Sequence, residues 1–302
     1  MHKTKNRYSP VFFLFLLPAV FAFVFVIVIP FFTGIYFSFT DWRAITGIET
    51  RWVGLDNYTA IFQNNTRFLH AFLVTGLFSV MNIIAVNLVA FGLALLVTTK
   101  LKFVGVYRVG FFLPNLIGGI ILGYIWQFIF NNALTAFGSA IGSEFLATSF
   151  FANRHLSLLS IVIVSTWQYA GYIMMIYVAS IQSVPTSLLE AAEIDGAKYS
   201  QRLRHILMPL MAPAFTISMF LTLVNSFRQF DVNFALTAGG PAGMFMGESL
   251  MTTELLALNI YNTAFAFNEL AQGQAKAVLF FVMLTVIALV QVYFNKRKEI
   301  EM

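Results

Sequence analysis

Glu190-Ala191-Ala192-Glu193-Ile194-Asp195-Gly196-Ala197, followed by Ile206-Leu207-Met208-Pro209-Leu210, is the only long cluster of charge between two strongly apolar segments in the second half of the chain. Charged side chains are costly in hydrocarbon, so a loop of this kind faces water. It is where something outside a bilayer can take hold.

The surrounding composition calls for that bilayer. The chain is 59% apolar and 10% charged, with 35 phenylalanines. Soluble domains carry roughly a quarter charged residues. So few charges cannot cover a soluble body of this size, and the chain reads as an integral membrane protein. The absence of cysteine excludes disulfides and thiolate metal sites. The net charge of +5 does not point to nucleic acid, because the basic residues sit at the ends of apolar segments.

A spanning helix needs about 20 mostly apolar residues. The stretches that qualify are about 11–39, 71–98, 106–130, 156–178, 207–228 and 275–294. The first is too long for a signal-peptide core and is read as a retained span carrying Pro18 and Pro30. No ten-residue alternation suggests a barrel. The expected fold class is therefore all-α integral membrane, with six transmembrane helices. It forms one domain over 11–295, between short tails at 1–10 and 296–302.

Lys and Arg set the orientation. One side collects Lys3, Lys5 and Arg7, then Lys100, Lys102 and Arg108, then Lys198, Arg202 and Arg204, then Lys296, Arg297 and Lys298. The other side has Arg43, Arg51, Arg67, Arg154, Arg228 and Lys276. Both termini and the Glu190 loop are thus expected in the cytoplasm. Loops at about 40–70, 131–155 and 229–274 are expected outside, where Glu144, Glu248, Glu254 and Glu269 read as solvated surface.

Within the loop, the mixture of Ala, Leu, Glu, Lys and Arg from Thr186 to His205 favours helix. Glu190 and Glu193 come early and Arg202 and Arg204 late, which complements the helix macrodipole. Asp195-Gly196 interrupts the pattern, predicting two short helices with a turn at Gly196. Composition alone also fits an amphipathic segment on the membrane surface.

The order of residues narrows this. Glu190-Ala191-Ala192, Asp195-Gly196-Ala197, Ile206 and Pro209 resemble the EAA signature of ABC-importer permeases at its usual spacing. Val53-Gly54-Leu55-Asp56-Asn57-Tyr58, Arg108 with Phe112-Leu113-Pro114 and Trp126, Leu236-Thr237-Ala238-Gly239-Gly240-Pro241, and Tyr261-Asn262-Thr263-Ala264-Phe265 resemble further motifs of carbohydrate permeases in the same order. The likeness covers about residues 12 to 295 and is to the maltose, multiple-sugar and glycerol-phosphate uptake group.

That resemblance implies a type I ABC-importer permease in the bacterial cytoplasmic membrane. It implies a coupling loop at 186–206 that docks on an ATPase through Glu190, Ala191, Ala192, Asp195, Gly196 and Ala197. It also implies a second, similar permease subunit, two ATPase domains and an extracellular or periplasmic solute-binding protein as partners. No cofactor or metal is expected on this chain, and ATP and Mg are expected to be used by the partner. The segment 242–252 lengthens the family's usual spacing and is left open between a reentrant segment and a docking feature. Leu203 stands where the family often has an aromatic residue.

Two polar stripes lie on the spans flanking the loop. Ser165, Gln168, Tyr169 and Tyr172 share one helical face, and Thr222, Asn225, Ser226 and Gln229 share another by the same spacing. Amides, hydroxyls and tyrosine rings suit a neutral sugar. The same residues also suit hydrogen bonding between helices. The resemblance places the cargo site of maltose permeases at these positions. Gln168 and Tyr169 replace an aliphatic residue and a glycine there, and Asn225 replaces an aromatic. Arg228 and Asp231 close the fifth span, as a surface pair or as a gate. Asn82 and Asn87 are assigned to packing.

No phosphate-binding G-x-x-x-x-G-K-[ST] loop occurs, so ATP hydrolysis belongs to another chain. No H-E-x-x-H or G-x-S-x-G constellation marks an enzyme. An ion-coupled secondary transporter is the competing class. It would favour mid-membrane carboxylates and internal repeats, which this chain lacks. Within the resembled group, a glycerol-phosphate or other polyol permease is the alternative to an oligosaccharide permease.

Overall fold

A computed structural model describes residues 10–43, 49–63, 66–99 and 102–296. The basic residues Lys3, Lys5, Arg7, Lys100, Arg297 and Lys298, and most of both tails, lie outside the described residues. The chain divides into two compact units, one of Met1–Asn64 with Ile260–Phe281 and one of Asn65–Asn259 with Val282–Met302.

In the first unit, helix α1 (Phe12–Phe37) is apolar on every side and buries none of its most apolar stretch within the chain. A helix without a polar face belongs in lipid or against partners. Its end is fixed by the Val53–Tyr58 motif. Asn57 Nδ2 donates to the carbonyls of Ser38 at 2.9 Å and Thr40 at 2.8 Å. The Tyr58 hydroxyl meets Ser38 Oγ at 2.7 Å. Asp56 opens the short helix α2 (Asp56–Gln63).

The second unit is a bundle. Helix α3 (Thr66–Val97) lies along α6 (Arg154–Ser183), and α9 (Ala212–Phe227) packs on both. Ala90 and Ala94 are fully buried on α3, so the backbones approach closely. Helix α5 (Gly119–Ala140) receives the short helix α10 (Asp231–Leu236) on Gly119 and Gly123, a small-xxx-small face where an added Cβ would lie 2.6 Å from Asp231 and from Ala235. The last span, α11 (Leu270–Lys296), has residues in both units.

Two expected spans are corrected. The stretch 106–130 is not one helix. Helix α4 (Val104–Phe112) ends in a 3-10 turn at Leu113–Leu116, Ile117 and Gly118 are extended, and α5 starts afresh at Gly119. Pro114 has no N–H to continue the ladder. The carbonyl of Ile117, in the extended link before the new helix, accepts from Gln168 Nε2 at 3.1 Å. The stretch 207–228 is bent by 69° between α8 (Tyr199–Leu210) and α9. Pro209 and Pro213 each remove a donor across that break. The described residues therefore hold 5 helices long and apolar enough to cross a membrane, or 6 when the bent pair counts as one.

The all-α expectation is amended at one place. Ala242–Phe245 (β1) and Glu248–Met251 (β2) form an antiparallel hairpin, with Phe245 opposite Glu248. Met246 and Gly247, at φ of 50° and 87°, make its two-residue turn. The hairpin fills most of the segment left open at 242–252.

Glu254 corrects another expectation, that of a solvated loop carboxylate. It is 0% exposed and accepts from Arg67 Nε at 2.7 Å and Nη2 at 2.8 Å. Arg67→Ala leaves that carboxylate buried without its cation, which costs about 3 kcal/mol or more. A thermal unfolding scan of the assembled complex is expected to show a clearly lowered transition for Arg67→Ala, and a near-unchanged one for exposed Arg51→Ala.

Candidate functional site

The Glu190 segment forms helix α7 (Thr186–Ile194), which leaves α6 after Val184-Pro185. Its C-terminus is a Schellman cap. Ala197 N–H donates to the Ala192 carbonyl at 2.9 Å, and Gly196 N–H to the Glu193 carbonyl at 3.0 Å. The cap requires a left-handed residue, and Gly196 has φ +79°. Lys198 N–H then donates to Gln201 Oε1 at 2.7 Å, starting α8. An ion pair between Arg202 and Glu193 ties the two helices across the turn.

This fixed shape holds its charges and several apolar side chains outward. Glu190, Ala191, Asp195 and Gly196 are exposed, with Ala192 and Ala197 half-buried beneath them. Ile194 is 87% exposed, and Leu188 and Tyr199 are also exposed. A cleft of about 300 Å³ runs beside the turn, between Asp195, Gly196, Gln201, Arg202 and His205. A rigid, water-facing projection with apolar residues uncovered at its tip is built for contact with another surface.

The two polar stripes separate into paired and unpaired members. Ser226 Oγ accepts from Asn82 Nδ2 at 2.8 Å, and Thr222 Oγ1 accepts from Asn87 Nδ2 at 3.3 Å. Ser165 Oγ accepts from Gln229 Nε2 at 2.7 Å. Gln168 holds the broken span as described above. The Tyr177 hydroxyl donates to Asn87 Oδ1 at 2.6 Å and meets Ser218 Oγ at 2.6 Å. Ser165, Gln168, Thr222, Ser226 and Gln229 are thus buried in a polar seam that joins α3, α6 and α9, between two apolar cores.

Tyr169, Tyr172 and Asn225 are half-buried and make no hydrogen bond among the described residues. Arg228 and Asp231 are exposed, do not pair with one another, and both lie within electrostatic reach of Tyr169. Tyr169, Arg228 and Asp231 are thus polar groups left without hydrogen-bonded partners beyond the seam, among the described residues. Tyr172, nearly one turn along α6, faces an apolar groove instead.

Residues 2–300 match the family model described as binding-protein-dependent transport system inner membrane component. The chain belongs to that family. It is 43% identical over 289 residues to a probable starch degradation products transport system permease protein, AmyD, of Thermoanaerobacterium thermosulfurigenes, covering 96% of this chain and 95% of that one. It is 29% identical over 271 residues to the multiple sugar-binding transport system permease protein MsmF of Streptococcus mutans, covering 90% of each. Its fold is similar to that of a chain in a bacterial ABC transporter that imports the acidic polysaccharide alginate, with a TM-score of 0.75 at 20% identity over 95% of both chains. The permease is thus a membrane transport component and not an enzyme.

Sequence spacing placed the stripes on single faces of this permease but missed Tyr177, the residue that joins three helices. No local pattern marks it, because α6 carries nine hydroxyl side chains and the partners Asn87 and Ser218 lie on other helices. Tyr177→Phe removes two short hydrogen bonds and strands Asn87 Oδ1, at a cost of about 1–3 kcal/mol. A lowered unfolding temperature with unchanged subunit composition is the expected outcome.

Proposed function

We propose that this permease forms half of the translocation path of an ATP-driven oligosaccharide importer. A second, similar permease completes the path, two ATPase domains supply the energy with ATP and Mg, and a solute-binding protein delivers cargo. Both termini and the loop at 186–206 lie in the cytoplasm, as the distribution of Lys and Arg supports.

The observation that carries this reading is the capped loop. Glu190 enters a cleft on the ATPase and pairs with a basic residue there, while Ile194 and Tyr199 supply apolar contact. Because α7 follows directly from α6 and α8 leads into α9, movement of the ATPase reaches both helices through rigid elements. Closure of the ATPases turns the path outward, and reopening turns it inward.

The cargo-facing group is the set of polar residues that the seam leaves unpaired: Tyr169 and Asn225 as stacking and hydrogen-bonding partners, with Arg228 and Asp231 as the gate. Ser165, Gln168, Thr222, Ser226 and Gln229 act as the scaffold that holds Tyr169 and Asn225 in place. A single arginine, offset by the Asp231 carboxylate, favours a neutral oligosaccharide over a phosphorylated polyol, which wants several cations. Relatives named for starch degradation products and multiple sugars agree with that. No carboxylate occurs in the described spans, which disfavours ion coupling.

Cysteine cross-linking tests the docking. Ile194→Cys is expected to cross-link to a cysteine series in the ATPase cleft in native membranes. Failure at position 194, with efficient cross-linking from the Ala242–Phe245 hairpin, would reverse the orientation and remove the coupling role.

A further inference from the structure

Arg108 stands apart from the machinery above. It sits near the start of α4, half-buried, and its Nη2 donates to the carbonyl of Val97 at the end of α3 at 3.1 Å. Its Nε is buried and has no hydrogen-bond partner. A guanidinium that caps a helix end needs only the first contact. The charge of the guanidinium is not neutralised by either feature and is left for another partner.

Beside it opens a groove of about 520 Å³ between α4 and α6. Beyond Arg108, the groove is lined by Val109, Phe112, Tyr172, Met175, Ile176 and Ala179. Val97 ends a span, so Arg108 marks the membrane surface. The lining runs from Ala179 to Tyr172, about 10 Å along a helix axis. Charge at the surface end followed by an apolar floor is the polarity order of an amphiphile. Lys102, exposed and just before α4, adds a second cation at the same end.

We propose that this groove is a binding site for an anionic phospholipid. A phosphate oxygen accepts from the Arg108 guanidinium where it lines the groove, and one acyl chain lies along Met175, Ile176 and Ala179. A guanidinium donates to phosphate through charge-assisted hydrogen bonds, and basic pockets between membrane helices suit anionic headgroups. A free phosphate would not use the apolar floor, and a sugar would find no polar partner there beyond Arg108 and the Tyr172 hydroxyl. The site lies beside the coupling loop in the bundle's second unit, where α6 runs on to Ser183 before α7 begins.

Native mass spectrometry of the assembled transporter tests this, after exchange into nanodiscs of phosphatidylglycerol or of phosphatidylcholine. Wild-type protein is expected to retain phosphatidylglycerol through detergent release and not to retain phosphatidylcholine. Arg108→Gln is expected to lower retention about fivefold, the loss of one basic contact with an anionic headgroup. Arg108→Lys is expected to recover part of it. Because Arg108→Gln also removes the cap on Val97, Ala179→Trp provides an independent variant that fills the groove and leaves Arg108 in place. It too is expected to lose the lipid. Equal retention by wild type, Arg108→Gln and Ala179→Trp would overturn the proposal. So would efficient cross-linking of Ala179→Cys to the second permease, which would make the groove a permease–permease contact. Neither result bears on ATP-driven uptake, so failure here is distinct from failure of the transport reading.

Discussion

Gly196→Pro is expected to abolish uptake while the chain still inserts in the membrane. Gly196 has φ +79°, and proline is confined near −65°, so the Schellman cap cannot form. Proline also lacks the N–H that donates to the Glu193 carbonyl. The consequences stay local. The turn is exposed, an added Cβ at Gly196 meets nothing within 4 Å, and the polar seam and both apolar cores lie elsewhere. Insertion and helix packing are therefore preserved, while α7 no longer meets α8 at the angle the docking surface requires. Glu190→Lys is expected to reach the same end by another route, because it reverses the charge that the proposed docking presents to the ATPase and leaves the cap intact. For both variants the expected outcome is uptake lowered by at least about a hundredfold, equivalent to losing roughly 2.7 kcal/mol of coupling. Membrane-fraction yield is expected to match wild type. Gly196→Pro is further expected to lose the ATPase on co-purification, and retention of wild-type ATPase binding would remove the coupling role from the loop.

Gly171→Ala carries the second large effect, on assembly rather than coupling. Gly171 lies on α6 where the broken third span crosses it. A Cβ there would sit 1.8 Å from the carbonyl oxygen of Phe111 and 2.5 Å from its carbon. These are backbone atoms, so no rotamer change relieves the overlap. Only displacement of the α4 end does, and that opens the contact through which Gln168 reaches Ile117. The cost is expected to exceed the roughly 1–3 kcal/mol of ordinary overpacking. Gly92→Ala on α3 is the control, because an added Cβ there meets nothing within 4 Å. Replacing glycine with alanine inside a helix is otherwise favourable by about 1 kcal/mol. The two substitutions are thus expected to move the unfolding temperature in opposite directions, and equal shifts would contradict the close crossing.

These contrasts locate what was legible in the sequence. Long apolar runs announced the straight spans, because hydrocarbon imposes length and polarity directly. The turn at Gly196 was legible because Asp-Gly interrupts a helix-favouring run. The break at Leu113–Gly118 was not, since Pro114 sits in a stretch apolar enough to pass as one span. The 69° bend at Met211 escaped for the same reason, although Pro209 and Pro213 flank it. The Met246-Gly247 hairpin lacks the Asn-Gly or Asp-Gly that usually marks such a turn. Spacing put each polar stripe on one face but could not say what that face meets. Ser226 and Thr222 are opposed by Asn82 and Asn87 from a helix far away in sequence. Glu254 finds Arg67 across 187 residues, a distance no local pattern spans.

The central claim is that energy enters through the loop from ATP hydrolysed elsewhere. Reconstituting the chain with its partner permease, ATPase and binding protein in sealed proteoliposomes, and following uptake of a labelled starch-derived oligosaccharide, tests it most directly. The account predicts uptake that requires ATP on the loop side, survives collapse of proton and sodium gradients, and disappears with Gly196→Pro. Uptake driven by an ion gradient without ATP or the ATPase would contradict it.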